Sequence, residues 1–369
     1  MSSAERRLVV TGGGTGGHIF AGVAIADEWK KLYPGSRIVF VGAAGGIEER
    51  LVPKAGYPLE LVRLGSLKGV AIGKRLKTMI QIPFALLSAA GILIREKPEA
   101  VIGVGGYASG PVVLIARLIG WTWGVRTAIL EQNAVPGFTN RILARFTHAV
   151  FCAFPGIEDQ FQRAKTAITG NPVRNTMVPF ASAARDPFTV FIFGGSQGAV
   201  GINTLVLDSF EHLGDLLPKL RFIHQTGERD FDRVVAGYKK AGVEARIEKF
   251  ITDMPECYRA ASLVVCRAGS STLGELAAVH RAAILVPFPF ASDNHQEKNA
   301  RLFVDQGAAD LLVQGEASGK DLAERIRALY ADPAKLAAME TGIAKFHAGN
   351  APGKIVSLLN PPAMAEAAR

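Results

Sequence analysis

One local unit is written into this chain three times: an apolar run, a glycine-rich turn, then a helical stretch. It occurs at GGGTGGH (12–18) behind Leu8-Val9-Val10, at GVGGYASG (103–110) and at GGSQGA (194–199). An apolar run that ends in such a turn is a strand handing over, at its carboxyl end, to a helix. Similar runs at 7–11, 37–41, 100–104, 126–131, 148–152, 188–194, 220–225, 262–266 and 283–287 alternate with longer amphipathic stretches such as 17–32 and 271–280. That alternation dictates parallel sheets covered by helices on both faces, an α/β fold. The pattern breaks over 167–188, where AITGNPVRNTMVPFASAARDPF is rich in Pro, Gly, Asn and small residues and reads as a linker. The sequence therefore predicts two Rossmann-like, doubly wound halves joined near residue 175: residues 1–174 and 175–349, with a final helix over about 350–369 free to pack back on the first. Ligands of such sheets bind beyond the carboxyl ends of the strands, so the facing ends of two halves would frame a central cleft.

Composition narrows the partners. The chain has 369 residues, 49% of them hydrophobic, enough for two ordinary cores. Its net charge of +9, from 42 basic and 33 acidic residues, favours an anionic partner: phosphates, nucleic acid or an acidic membrane. No recognisable nucleic-acid module supports the second of these. The cysteines Cys152, Cys257 and Cys266 are widely spaced and odd in number, which indicates neither a disulfide frame nor a zinc site and fits a reducing cytoplasm. MSSAERRLVV enters a strand almost at once and leaves no room for a signal peptide. Residues 78–94, TMIQIPFALLSAAGILI, carry no charge over 17 positions. A membrane span needs about 20. Lys68, Lys74, Arg75 and Lys77 precede the stretch, and Arg95 and Lys97 follow it. It reads either as a core helix with solvated ends or as a helix resting on an anionic membrane surface.

Glycines 12, 14 and 17 satisfy G-x-G-x-x-G, a pattern of dinucleotide sites. Such sites place an acidic residue at the end of the second strand to hold the ribose. Here Arg37–Val41 ends in Gly42-Ala43-Ala44-Gly45-Gly46, and Glu48 and Glu49 come too late. The glycines still let the backbone approach a phosphate at a helix N-terminus, or else serve tight strand-to-helix packing. His18 falls in the first turn of that helix, where the positive dipole end disfavours imidazolium. A neutral imidazole there can accept a proton, or merely bond to a neighbouring loop. Thr272 and Glu275 form T-x-x-E, which either closes a capping box or leaves the carboxylate to clasp a ribose diol. In DNHQEKN (293–299), Gln296 is either a cap partner of Asp293 or, with Asn299 on the same helical face, a ligand of sugar hydroxyls. Asp230-Phe231-Asp232 spells D-x-D, either a metal–nucleotide motif or the start of a helix on a solvated face.

In order along the chain, TGGGTGGH (11–18), GGYASGP (105–111), EQN (131–133), GNPVR (170–174), GGSQGA (194–199) and DNHQEKNA (293–300) resemble the bacterial MurG-type N-acetylglucosaminyltransferases. The likeness runs from residue 8 to about 310. It implies the GT-B architecture of two Rossmann-like domains. It also implies inverting transfer of N-acetylglucosamine from UDP-N-acetylglucosamine to the C4 hydroxyl of undecaprenyl-diphospho-N-acetylmuramyl-pentapeptide. The product is the lipid-linked disaccharide precursor of peptidoglycan. By the same resemblance the donor sits mainly on the second domain. Phe250-Ile251 backbone reads uracil, Arg174 lies near the base, and Glu275 binds the ribose. Ser196 and Gly195 meet the diphosphate. Gln296 and Asn299, with Asn133 from the first domain, approach the sugar, and His295 lies in that region. Thr15, Gly16, Gly17 and Tyr107 fall on the acceptor side, where the glycine loops suit a diphosphate, and His18 is the expected base. No metal and no cofactor are called for.

The embedded acceptor gives weight to a peripheral enzyme on the cytoplasmic face of the inner membrane, docked through 67–97, with room for other cell-wall synthesis proteins as partners. Two departures stand out: Leu130 precedes EQN where the family commonly has histidine, and Gly120-Trp121-Thr122-Trp123-Gly124 lengthens a connection. Those tryptophans are either core packing or an interfacial anchor. Three rival functions remain: a UDP-sugar epimerase of the same architecture, an NAD-dependent oxidoreductase, which the missing ribose carboxylate disfavours, and an inert UDP-sugar-binding module.

Overall fold

The computed structural model describes residues 6–64, 72–161, 164–180 and 186–359, with backbone alone for 72–80. Contacts divide the chain into a first unit, Met1–Arg174 with Ala348–Arg369, and a second unit, Asn175–His347.

The first unit runs β1 (Arg7–Gly12), α1 (Gly16–Leu32), β2 (Arg37–Ala43), α2 (Glu48–Lys54), β3 (Leu59–Val62), α3 (Ile72–Glu96), β4 (Ala100–Gly105), α4 (Ser109–Ile119), β5 (Arg126–Glu131), α5 (Phe138–Leu143), β6 (Ala149–Cys152) and β7 (Thr166–Ile168). Its sheet has seven strands in the order β3-β2-β1-β4-β5-β6-β7. Every pairing is parallel. The central strands are covered on both faces, which is why β4 is buried from end to end and why these runs read as continuous apolar stretches. Helix α1 turns Ile19, Ile25, Ala26 and Trp29 inward at helical spacing and closes with Lys30 and Lys31, whose charges suit the negative end of its dipole.

The second unit runs β8 (Phe188–Phe193), α6 (Val200–Leu213), β9 (Leu220–Gln225), α7 (Phe231–Ala241), β10 (Ala245–Glu248), α8 (Met254–Ala260), β11 (Leu263–Cys266), α9 (Ser270–Val279), β12 (Ala283–Leu285), α10 (His295–Val304), β13 (Asp310–Leu311), α11 (Gly319–Ala331) and α12 (Pro333–Ala344). Its six parallel strands lie in the order β10-β9-β8-β11-β12-β13. A last helix, α13 (Ala351–Leu359), belongs to the first unit. Its Ile355, Val356 and Leu359 enter the core beside Ile25 and Trp29, and Asn350 donates to Glu28 at 3.2 Å. Residues 360–369 lie outside the described residues.

In each sheet the strand order reverses beside the first strand: between β1 and β4, and between β8 and β11. Ligands of doubly wound folds bind at these switch points. The first two glycine turns follow β1 and β4, and the third follows β8, so all three lie at a switch point. The structure adds four short strands that the sequence pattern does not mark: β3, β7, β10 and β13. The second of these takes the opening of the stretch read as linker. The three cysteines are free and buried.

Candidate active site

At the first switch point two glycine loops lock together. Gly13 N–H donates to the Gly105 carbonyl at 3.1 Å. Gly106 has φ +86°, and a Cβ there would run into the Gly13 backbone. The buried hydroxyl of Ser109 lies 3.0 Å from the carbonyl oxygens of both Thr11 and Gly105 and donates to them. Thr15 caps α1, its Oγ1 accepting the His18 amide at 3.4 Å. The His18 ring lies against Gly105: a Cβ at that position would stand 2.6 Å from His18 Cε1. Its Nδ1 is 3.2 Å from Gln132 Nε2, and the same nitrogen is 3.0 Å from the Val104 carbonyl. Tyr107 is exposed at the edge of the second loop.

Glu131 explains how this region tolerates Leu130. Its buried carboxylate accepts four N–H groups: Asn133 N at 2.9 Å, Asn133 Nδ2 at 3.3 Å, Gly137 N at 2.9 Å and Asn140 Nδ2 at 2.9 Å. Burial pushes its carboxyl above the usual carboxylate range, and these donors work against that rise. Leu130 is simply core. Support for Glu131 comes from the loop that follows it, not from the residue before it. Asn133, expected near the sugar, is turned onto Glu131, and the Arg174 guanidinium stands 5.6 Å from the Phe20 ring on α1.

Glu48, set aside as too late to hold a ribose, fills the first loop from within. Its carboxylate accepts Gly14 N at 3.0 Å and Ala43 N at 2.9 Å, and a Cβ at Gly13, Gly42 or Gly46 would collide with it. The amide that a dinucleotide phosphate would use is therefore satisfied by the protein's own anion. The expectation of a diphosphate in this loop narrows to the start of α1, at Gly16 and Gly17.

At the second switch point the third loop interlocks with the turn after β9. Gly198 (φ +73°) and Gly227 (φ +81°) each lie where a Cβ would strike the other turn's carbonyl, Thr226 and Gln197 respectively. Gln225 ties the parts together, donating to the Gly195 carbonyl and accepting the Ile251 amide, both at 2.8 Å. Within the Phe250-Ile251 backbone expected to read a base, the Ile251 N–H is bonded to Gln225, and the Phe250 side chain is exposed. Ser196 is exposed just before α6. Glu275 corrects one alternative: α9 is capped by Gly269 without a side-chain bond, so Thr272 lies inside the first turn and no capping box forms. Glu275 Oε2 instead accepts the hydroxyl of the buried Tyr258 at 3.1 Å.

Gln296 is likewise no cap partner of Asp293. Its Oε1 accepts the Phe288 amide at 2.9 Å. Asn299, also expected near the sugar, lies about one turn further along α10. The residue is fully buried and its Nδ2 donates to the Ala268 carbonyl at 3.2 Å, so it anchors α10, and the two amides that share a helical face have different duties. His295 Nδ1 donates to the Ser292 carbonyl at 2.8 Å. Arg267, which no motif flagged, holds the Val286 and Pro287 carbonyls at 3.0 and 2.9 Å and Gln314 at 2.6 Å. Burial brings its guanidinium down to about 10.

The D-x-D residues have separate fates. The stretch does begin a helix, α7, with Asp232 exposed on its solvated face, whereas Asp230 at the cap is buried. Asp230 pairs with Arg233 at 2.7 Å, which holds its carboxyl below the usual range, and accepts Asn203 Nδ2 at 2.7 Å. Asn203 in turn contacts His224, fully buried between it (3.0 Å) and Tyr238 (3.1 Å). A groove of about 780 Å³ between Thr189, Phe222, Tyr238 and Arg246 holds none of these candidate residues.

Two doubly wound parallel sheets in one chain, each with a glycine loop and a helix N-terminus at its switch point, make up the GT-B architecture. Residues 8–152 match the glycosyltransferase family 28 N-terminal domain and residues 189–351 its C-terminal domain. The chain belongs to glycosyltransferase family 28. It is 46% identical over 337 residues to the UDP-N-acetylglucosamine–N-acetylmuramyl-(pentapeptide) pyrophosphoryl-undecaprenol N-acetylglucosamine transferase of Myxococcus xanthus, covering 90% of this chain and 87% of that one. The structure of Acinetobacter baumannii MurG superposes with a TM-score of 0.78 at 29% identity, covering 96% of this chain and 99% of that one. The MurG-type resemblance is thereby borne out. A UDP-GlcNAc 2-epimerase from Neisseria meningitidis shares the fold (TM-score 0.66, 96% and 99% covered) at 13% identity.

Proposed function

We propose that this chain transfers N-acetylglucosamine from UDP-N-acetylglucosamine to the C4 hydroxyl of undecaprenyl-diphospho-N-acetylmuramyl-pentapeptide with inversion. The single observation that carries the reading is the likeness to enzymes so named along nine-tenths of the chain. The acceptor oxygen forms the new bond to the anomeric carbon. The bond from that carbon to the UDP oxygen breaks, its electron pair leaves with UDP, and the hydroxyl proton is released. The second unit takes the donor. Gly195 and Ser196 precede the N-terminus of α6, whose dipole favours the charge growing on the leaving diphosphate. Glu275 holds the ribose, Gln296 the sugar, and Phe250 and Ile251 border the base. The first unit takes the acceptor at Thr15, Gly16, Gly17, His18 and Tyr107.

The enzyme works peripherally on the anionic cytoplasmic surface. Among the described residues no helix is long and apolar enough to cross a membrane. On α3 Phe84, Leu87 and Ile94 are exposed, as are Leu118 and Trp121 near the end of α4. Trp121 is 72% exposed, while Trp123 donates to the Pro98 carbonyl at 3.0 Å, so Trp121 suits an interfacial anchor and Trp123 a structural role. Lys68 and the side chains of Lys74, Arg75 and Lys77 lie outside the described residues.

A radiolabelled donor incubated with and without the lipid-linked acceptor tests the reaction. Label in a disaccharide lipid only when acceptor is present is the expected result. Conversion of the donor sugar without acceptor would identify an epimerase and overturn the reading. Trp121→Ser should weaken sedimentation with anionic vesicles, and unchanged sedimentation would remove it from docking.

A further inference from the structure

We infer that Gln132 fixes the tautomer of His18, so that His18 meets its ligand as an Nε2–H hydrogen-bond donor and not as a base at that nitrogen. The inference deepens, and rests on, the acceptor-side reading of His18. A glutamine amide is oriented by what it faces. The terminal atom 3.0 Å from the Val104 carbonyl oxygen must be the NH2 group, because a carbonyl only accepts. That same nitrogen lies 3.2 Å from His18 Nδ1. An amide NH2 only donates, so Nδ1 receives the bond with its lone pair. A neutral imidazole has one such lone pair, and its proton is then on Nε2. A doubly protonated ring would point Nδ1–H at another N–H and lose the contact.

The surroundings hold this arrangement still. Gln132 is buried, and it follows Glu131, whose carboxylate gathers the amides of Asn133, Gly137 and Asn140. The ring lies on Gly105, where any side chain would strike it. Gln132 is therefore a positioning residue. The ligand class that suits an N–H donor at the start of α1 is an anionic oxygen, such as that of a diphosphate. In this tautomer His18 Nε2 already carries a proton and has no lone pair with which to take the one on the attacking hydroxyl. This replaces the expectation of His18 as the base.

Nitrogen-15 spectra of histidine-labelled protein read the tautomer directly, with His18→Ala used to assign the signal. The wild type should show the Nε2–H form at neutral pH, and Gln132→Leu, which removes the donor facing Nδ1, should let the Nδ1–H form appear beside it. An Nδ1–H or doubly protonated ring in the wild type would overturn the inference. This spectrum is independent of any transferase assay, so its failure is distinguishable from failure of the proposed reaction. In turnover, His18→Ala should lose about 10²–10³-fold, the usual cost of one preorganised donor. His18→Gln, whose amide nitrogen reaches the place of Nε2, should stay within about tenfold of wild type, a difference of about 1.4 kcal/mol at most. A glutamine variant as slow as the alanine variant would also sink the donor role.

Discussion

The two switch points share a topology and differ in charge. At β1/β4 the loop amide of Gly14 is already bonded to the Glu48 carboxylate, and the neighbouring glycines close around that anion. At β8/β11 the loop is braced by neutral or cationic groups: Gln225 behind Gly195, and Arg267 clamping the turn that orients Gln296. One supersecondary unit thus serves two electrostatic purposes. An anion built into the first loop repels a phosphate at Gly14 and leaves the helix start, at Gly16 and Gly17, as the nearest favourable place. In the proposed reading the second loop offers its helix N-terminus to the donor diphosphate. A glycine fingerprint alone does not distinguish the cases, because the deciding group in the first lies 34 residues away in sequence.

The sharpest way to break this contrast is to damage each loop in turn. Gly198→Ala places a Cβ against the Thr226 carbonyl at a left-handed φ. It should cost about 3 kcal/mol and lower the unfolding midpoint by roughly 5–10 °C. UDP affinity should fall with it, measured by calorimetry well below the midpoint. Gly106→Ala, its counterpart against Gly13, should leave UDP affinity near wild type. Equal loss of UDP affinity in both variants would erase the division of labour between the units.

Next in size is Glu48→Gln. The substitution keeps the shape but turns one acceptor oxygen into an NH2 facing a backbone N–H, at about 1–3 kcal/mol. KM for the lipid acceptor should rise while KM for the donor holds. A rise in donor KM instead would assign the first loop to the nucleotide.

A third test separates packing from chemistry in the second unit. Burial holds His224 down to about 3, against an ordinary value of 6.5, so it is neutral in the folded chain. The unfolded chain gains a proton as pH drops below about 6.5, and the folded chain does not until about 3. Stability is therefore fully present above that upper value and drains away through the interval. By about pH 5 the loss should approach about 2 kcal/mol. Thermal unfolding against pH measures it, and His224→Gln should flatten the slope. A slope unchanged by that substitution would assign the acid sensitivity elsewhere.

What the sequence made legible follows from range. Central strands such as 100–104 and 188–194 were plain because a doubly covered parallel strand must be apolar at every position. The edge strands are harder to read because Leu59–Val62, Ala245–Glu248 and Asp310–Leu311 are short and each includes a charged residue. The glycines of the site were legible because turns demand them locally. Glu48, Gln132, Gln225 and Arg267 were not, since each acts on backbone groups far off in sequence. The T-x-x-E of α9 misled for a related reason. The motif is local, but where a helix starts is set by packing, and Gly269 took the cap.

The smallest effect is the most specific to the donor side. Glu275 accepts the Tyr258 hydroxyl through Oε2, and an amide oxygen can take that bond as well. Glu275→Gln should therefore leave the unfolding midpoint nearly unchanged. It removes the negative charge that would hold a pair of ribose hydroxyls, and a hydrogen bond to a charged group is worth about 1.5–3 kcal/mol. With part of that kept by the amide, KM for UDP-N-acetylglucosamine should rise about tenfold, or about 1.4 kcal/mol. A donor carrying 2′-deoxyribose should bind the wild type more weakly and the variant no more weakly than the normal donor. If the deoxy donor loses as much affinity in the variant as in the wild type, Glu275 does not touch the ribose. It would then be a buttress for Tyr258, and the contrast with Glu48 would reduce to two structural carboxylates.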